Sequence, residues 1–297
     1  MLKFLKKNII NIIMALVFVV GVAVAAYPVV SNLINSSMQS GVIGNYDDTV
    51  KELPEKDLEK MQLAADLYNQ ELYSRQLGKM TGNYDYDNIL NVDGNGLMGY
   101  IVIPAVDIKL PVYHGIGEEV LTVGVGHIDS SSLPVGGRNT HTVLLGHRGL
   151  PSAKLFNDLD KLTENDYFEI HVLDDVLYYK VYDIEVVLPE ELNKLRIEKN
   201  KDLATLVTCT PYGINSHRLL IHGERIESPE AEHLIVSEAQ SVNVVYVAIV
   251  IGIFLWLVLI IIIIYVSAKH KNRKISREEY YRRKEILNEY RRRRDNG

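Results

Sequence analysis

The chain has 297 residues, 47% of them hydrophobic, and a single cysteine, which leaves room for one medium domain with appendages and excludes a small fold stapled by intrachain disulfides. Its formal charge of −6 is unevenly spread: residues 269–297 carry +7 and the first seven residues +3, leaving −16 for everything between. So acidic a central region excludes nucleic acid as a partner, because neutralising phosphates provides most non-specific affinity.

In chain order, residues 8–30 come first: they carry no charge and are dominated by Ile, Val and Ala. A bilayer core of about 30 Å needs about 20 such residues in a helix. Lys3, Lys6 and Lys7 ahead of the run, with Ala23-Val24-Ala25 inside it, match a cleavable secretory signal, while its length matches an uncleaved anchor. Both alternatives place the middle of the chain outside the cytoplasm. A second uncharged run, residues 239–268, contains Ile260 to Ile264, has Tyr246 and Tyr265 near its ends, and is stopped by a basic cluster from Lys269 to Lys274. It is expected to be a transmembrane helix, with both termini in the cytoplasm if the first segment is retained. The tail, Arg291 to Arg294 included, is either a topology determinant touching anionic membrane lipid or a solvated charged end.

Between the runs, residues 51–77 have a helical period, with Leu58, Met61, Ala65, Tyr68 and Leu72 on one stripe. Residues 77–99 contain Gly78, Gly82, Gly94, Gly96 and Gly99 and are expected to form a loop or hinge. From Tyr100 the chain turns to short β-branched and aromatic runs at 100–104, 108–113, 141–145, 167–173, 176–188, 204–209 and 218–226. Asp174-Asp175 suits a hairpin tip, residues 152–162 are expected to be helical, and residues 190–201 to hold a short helix. This pattern predicts a mainly β chain: a closed or nearly closed barrel with few helices, preceded by a helical extension and flanked by transmembrane helices. The expected divisions are 1–30, signal or anchor; 31–95, extracellular helical extension and loop; 96–238, β-barrel; 239–268, membrane helix; 269–297, basic tail.

The chemistry concentrates in three residues. Cys209 ends an apolar run, Thr205-Leu206-Val207-Thr208-Cys209, and Arg218 begins the next. If those strands pair, the two stand side by side at one rim, and His147, at the end of another run, can reach that rim from its loop. A thiol attacks a carbonyl only as thiolate, which a neighbouring imidazole promotes. The imidazole can then protonate a departing amine, and a guanidinium can stabilise the oxyanion. Each residue alone has a bland alternative: a buried inert thiol, one of nine histidines, a solvated arginine. No His/Glu pair has helical metal-ligand spacing, and neither a metal nor another cofactor is expected.

Taken together, the Thr205–Cys209 run, Arg218 nine residues on, and Gly146-His147 upstream resemble the signature of the sortases, membrane-anchored cysteine transpeptidases of Gram-positive bacteria. Gly146-His147-Arg148-Gly149-Leu150-Pro151-Ser152-Ala153-Lys154-Leu155-Phe156, Cys209-Thr210-Pro211-Tyr212-Gly213 and Asn91-Val92-Asp93-Gly94-Asn95-Gly96 are similar to the class C, pilin-polymerising branch. The resemblance implies an eight-stranded barrel and attack by Cys209 on the Thr–Gly bond of an LPXTG-like sorting signal. A lysine amine of another pilin subunit then resolves the thioester. It assigns His147 the acid/base role and Arg218 positioning and charge stabilisation, and leaves His127 structural. Class C members commonly carry an Asp-Pro-aromatic lid; residues 79–88 have no such tripeptide, only Asp85-Tyr86, so the lid is expected to be missing or altered. Two alternatives stand beside this: a sortase using a cell-wall precursor amine as acceptor, and a non-enzymatic membrane-tethered binding module in which Cys209 is inert.

Overall fold

A computed structural model of the chain describes residues 2–79, 82, 85–227, 252, 258 and 278–288. Two compact units are distinguished, Met1–Ser241 and Val242–Gly297. Of the second, residues 278–288 are helical; the expected membrane span at 239–268 lies outside the described residues apart from 252 and 258.

The first unit begins with helix α1 (Leu2–Glu52), which continues without a break past the apolar run. It includes the one described helix long and apolar enough to cross a membrane. The 51–77 segment is split: α1 stops at Glu52 and α2 (Glu55–Gln76) starts after Pro54, whose ring cannot continue the preceding helix. The α2 stripe faces the barrel as its spacing predicts, with Ala65 and Tyr68 buried in the main core and Leu58, Met61 and Leu72 packed against it.

Eight strands follow: β1 (Leu97–Ile103), β2 (Ile108–His114), β3 (Val125–His127), β4 (Thr140–Leu145), β5 (Tyr167–Val172), β6 (Asp175–Val187), β7 (Asp202–Thr210) and β8 (His217–Ile226). They close into a barrel in the order β1-β2-β3-β4-β7-β8-β6-β5, with parallel pairs at β2/β3 and β4/β7. The hairpin tip lies where Asp174-Asp175 suggested, with Val172 opposite Asp175. Strand β3 is missing from the sequence reading because three residues around a glycine show no alternation. At Gly126 a Cβ would sit 2.3 Å from the Gly115 carbonyl oxygen, so the close β2–β3 approach requires glycine.

Residues 152–162 are not the expected helix: only Leu159–Lys161 make a 3-10 turn, with Leu155 at φ 35°. Ala153, Leu155, Phe156, Leu159 and Leu162 are all buried in the core, although the path that buries them is irregular. Backbone groups here find tertiary partners instead: the Phe156 N–H donates to the His147 carbonyl (3.1 Å) and the Lys154 N–H to Asn32 Oδ1 (2.8 Å). Residues 192–195 likewise form a 3-10 turn where a short helix was expected.

Candidate active site

The barrel brings the three sequence candidates to one rim. Strand β4 runs parallel to β7 with Leu145 opposite Val207, and β7 runs antiparallel to β8 with Cys209 opposite Arg218. Cys209 and Arg218 therefore stand on adjacent strands, about 4.8 Å apart, and His147, two residues beyond the end of β4, follows the strand that flanks β7 on its other side.

Cys209 and Arg218 also share a face. Ala204 and Leu206 point into the main core, so Thr205, Val207 and Cys209 face outward. On β4, Leu144 is in that core, while Val143 belongs to an outer cluster with Val187, Val207 and Leu220, against which Leu145 and Leu195 pack. This cluster forms an apolar floor beneath the thiol. Farther down the same face, the Thr205 hydroxyl bridges His141 Nε2 (2.7 Å) and His222 Nδ1 (2.8 Å), and His222 Nε2 donates to Glu185 Oε1 (3.1 Å). Asp183, Glu185 and His222 bring one donor atom each within 4.8 Å of one another, but the Lys194 ammonium already pairs with Glu185 and opposes a cation there.

The position of His147 is set by the residue before it. The Gly146 N–H donates to the Val207 carbonyl (3.1 Å), and the hydroxyl of Thr208, a residue only 1% exposed, donates to the Gly146 carbonyl (2.8 Å). A Cβ on Gly146 would come within 2.6 Å of the Phe156 ring, so only glycine lets Phe156 fill the space under this loop. His147 Nε2 lies 3.3 Å from Glu118 Oε2. Cys209 is a half-buried free thiol. Arg218 donates to the carbonyls of Asn215 (3.2 Å) and His217 (3.1 Å), and among the described residues no carboxylate lies within ion-pair distance of it. Its charge is thus held at the rim and left open to an incoming anion.

Two contributors escaped sequence reasoning. Glu118 lies 29 positions from His147, a separation no spacing rule connects. Arg148, with a side chain only 8% exposed, pairs with Asp160 Oδ2 (2.5 Å), reaches Thr210 Oγ1 (3.4 Å) and lies over the Tyr212 ring (5.9 Å). It ties the loop after His147 to the loop after Cys209; its presence beside His147 was the only available signal.

His127 is elsewhere and structural. It is fully buried, its Nε2–H donates to the Ser132 carbonyl (2.8 Å), and its Nδ1 accepts from the Tyr86 hydroxyl (2.9 Å). Burial pushes its pKa down to about 4. Of the expected lid segment, residues 80, 81, 83 and 84 lie outside the described residues. The Tyr86 ring packs on Tyr68, His114 and His127, on the β2/β3 side of the barrel.

Comparison with known proteins fits this geometry. The sortase-domain family model matches residues 101–226. The crystal structure of sortase C1 from Streptococcus agalactiae is 44% identical, with a TM-score of 0.59 and coverage of 63% of this chain and 98% of that one. A Streptococcus pneumoniae sortase C structure, described as giving insight into catalysis and pilin substrate specificity, is 42% identical, with a TM-score of 0.56 and coverage of 63% and 97%. Sortase A of Streptococcus agalactiae is 26% identical over 161 residues, 49% of this chain, and the chain spans just under two thirds (64%) of that curated relative's length. With the barrel closed in this order and these relatives, the chain belongs to the sortase family, and its structural neighbours place it in class C.

Proposed function

We propose that this chain is a membrane-anchored cysteine transpeptidase that polymerises pilins. The observation that carries the reading is the pairing of Cys209 with Arg218 at the barrel rim, with His147 just past the end of β4, the strand beside β7 at that rim. The Cys209 thiolate attacks the threonine carbonyl of an LPXTG-like sorting signal, and Arg218 stabilises the resulting oxyanion. His147 passes a proton to the departing glycine amine, the C–N bond breaks, and a thioester to Cys209 remains. A pilin lysine amine then attacks the thioester carbon, His147 takes its proton, and the thiolate leaves, closing an isopeptide bond. Every proton shed is taken up by the same imidazole, so no cofactor is needed.

The catalytic barrel is assigned to the outside of the cell, the α1 apolar run and residues 239–268 to the membrane, and both termini to the cytoplasm. The sequence relationship to sortase A enzymes keeps a second acceptor, a cell-wall precursor amine, in view. Incubating the purified enzyme with sorting-signal donor, pilin and a wall-precursor mimic together, then mapping products by mass spectrometry, tests the choice. The account expects the donor threonine joined to a pilin lysine; joining only to the precursor amine would replace it with the wall-anchoring reading.

A further inference from the structure

Helix α1 presents one continuous face to the barrel. Asn32, Asn35, Gln39, Ile43, Tyr46 and Val50 recur at intervals of three and four, which stacks them along a single stripe. The last three are buried: the Tyr46 hydroxyl donates to the Met98 carbonyl (3.0 Å) and accepts from the Leu173 N–H (2.7 Å), at the rim where β6 begins. The first three are polar and bind the opposite rim, the one carrying Cys209. Asn35 Nδ2 donates to the Ser152 carbonyl (2.7 Å), Asn32 Oδ1 accepts from the Lys154 N–H (2.8 Å), and Gln39 Nε2 donates to the Val123 carbonyl (2.9 Å). Ser152 and Lys154 belong to the loop that follows His147, and Val123 lies just before β3, whose Gly126 pairs with Leu145. Followed toward its N-terminus, α1 therefore climbs the barrel from the far rim to the catalytic rim and leaves the molecule there.

What it leaves into is the apolar run that ends at Val30, after which Ser31, Asn32 and Asn35 bring polar side chains. At 1.5 Å per residue, Asn32 stands about 3 Å and Asn35 about 8 Å along the axis from that end. The headgroup zone on one side of a bilayer is about 5–7 Å deep. The loop after His147 is thus held at headgroup level by the helix it is bonded to. Pro28, inside α1, permits a bend within the apolar run but lies before the docked stripe, so it does not change the rim from which the helix departs.

The side chains on that rim suit such a position. Val186 and Leu188 at the end of β6, Tyr212 and Ile214 between β7 and β8, and Val123 are all large, apolar and exposed, with Ile214 at 71%. Glu118 and Glu119 stand among them, which sets the contact at the polar interface and not within the acyl chains.

We infer that the catalytic rim is a membrane-contact surface: α1 turns the opening beside Cys209 toward the outer leaflet, and Leu188, Tyr212 and Ile214 rest on it. The site then takes its substrates from the plane of the bilayer. This rests on the reading of α1 as a membrane anchor, and is independent of the chemistry assigned to Cys209.

The test uses the full chain in phosphatidylglycerol–phosphatidylcholine vesicles. In a Cys209→Ala background, single cysteines at Ile13→Cys, Leu188→Cys, Ile214→Cys or Arg138→Cys carry an environment-sensitive fluorophore, read against lipids with a nitroxide on the headgroup or on the acyl chain. Arg138 precedes β4 at the far rim, and the nine residues of β7 separate the rims by about 20–25 Å after allowing for strand tilt. Headgroup quenching several-fold stronger at positions 188 and 214 than at 138 is the expected result. Equal or weaker quenching at 188 and 214, with the Ile13 label quenched from the acyl chain, overturns the orientation and leaves the anchor standing. An unquenched Ile13 label overturns both. Neither outcome bears on thioester formation, which is measured separately.

Discussion

Thr208→Val isolates the device that places His147. The hydroxyl is buried and donates over 2.8 Å to the Gly146 carbonyl, while valine keeps the shape and removes the donor. Leaving that carbonyl short of its partner costs about 1–2 kcal/mol. For a unit of about 200 residues this lowers Tm by about 3–6 °C. The catalytic effect should be larger than the stability effect. Gly146 is held to β7 by two hydrogen bonds, and the substitution removes one, so the following imidazole drifts from its position at the rim. A displacement of about 1 Å in such a group costs about 10²-fold in rate, so acylation by a sorting-signal peptide should fall 10- to 100-fold at 25 °C. Thr208→Ser, which restores the donor, should recover most of that rate. The assay is single-turnover acylation followed by intact mass, beside thermal unfolding. A wild-type acylation rate in Thr208→Val, with Tm lowered as expected, would refute the claim that this bond positions His147.

Three further outcomes follow from other parts of the molecule. His127 is buried with a pKa lowered from the usual 6.5 to about 4, so the unfolded chain binds its proton first and stability falls as pH drops through that window, by about 3 kcal/mol at the lower end. His141, also lowered by burial, adds to the loss, whereas Asp202, whose burial raises its carboxyl pKa, opposes it. Urea midpoints at pH 7 and 4.5 should differ accordingly, with a flatter dependence in His127→Gln; a midpoint independent of pH contradicts the assignment. Tyr46→Phe strips partners from the Met98 carbonyl and the Leu173 N–H, costs about 2 kcal/mol, and should free α1 enough for limited proteolysis at residues 52–54 to accelerate. Unchanged cleavage would mean that Tyr46 does not hold the helix. Arg148→Ala removes the tie among Asp160, Thr210 and the Tyr212 ring. It should cost about 2 kcal/mol, less than a fully buried pair because Asp160 is half exposed, and should raise proteolysis between residues 211 and 216. A variant as stable and resistant as the parent contradicts that role.

Most of the barrel was legible because its strands are β-branched runs bounded by glycine, proline or acidic turns, and the α2 stripe was legible because Leu58 to Leu72 repeat at helical spacing. The juxtaposition of Cys209 and Arg218 was legible for another reason: they flank a single turn, so pairing of their strands forces them together. What was hidden depends on contacts between distant segments. Strand β3 exists because Gly126 allows β2 to approach it closely, not because of its own pattern. Residues 152–162 look helical in composition, yet Gly149, Pro151 and a core that accepts Leu155, Phe156 and Leu159 together impose an irregular path. The docking of α1 on the rim that carries Cys209 rests on Asn32, Asn35 and Gln39, polar residues whose backbone partners lie 84 to 122 positions away.

The central claim is that Cys209 becomes esterified with the help of His147 and Arg218. Mixing the enzyme with an LPXTG-like peptide, quenching in acid and reading the intact mass tests it directly. The account predicts an adduct equal to the peptide fragment ending at threonine, located on Cys209, released by hydroxylamine, absent from Cys209→Ala and strongly reduced in His147→Ala and Arg218→Ala. Peptide cleavage that proceeds without such an adduct, or an adduct that forms equally well without His147 and Arg218, would contradict it.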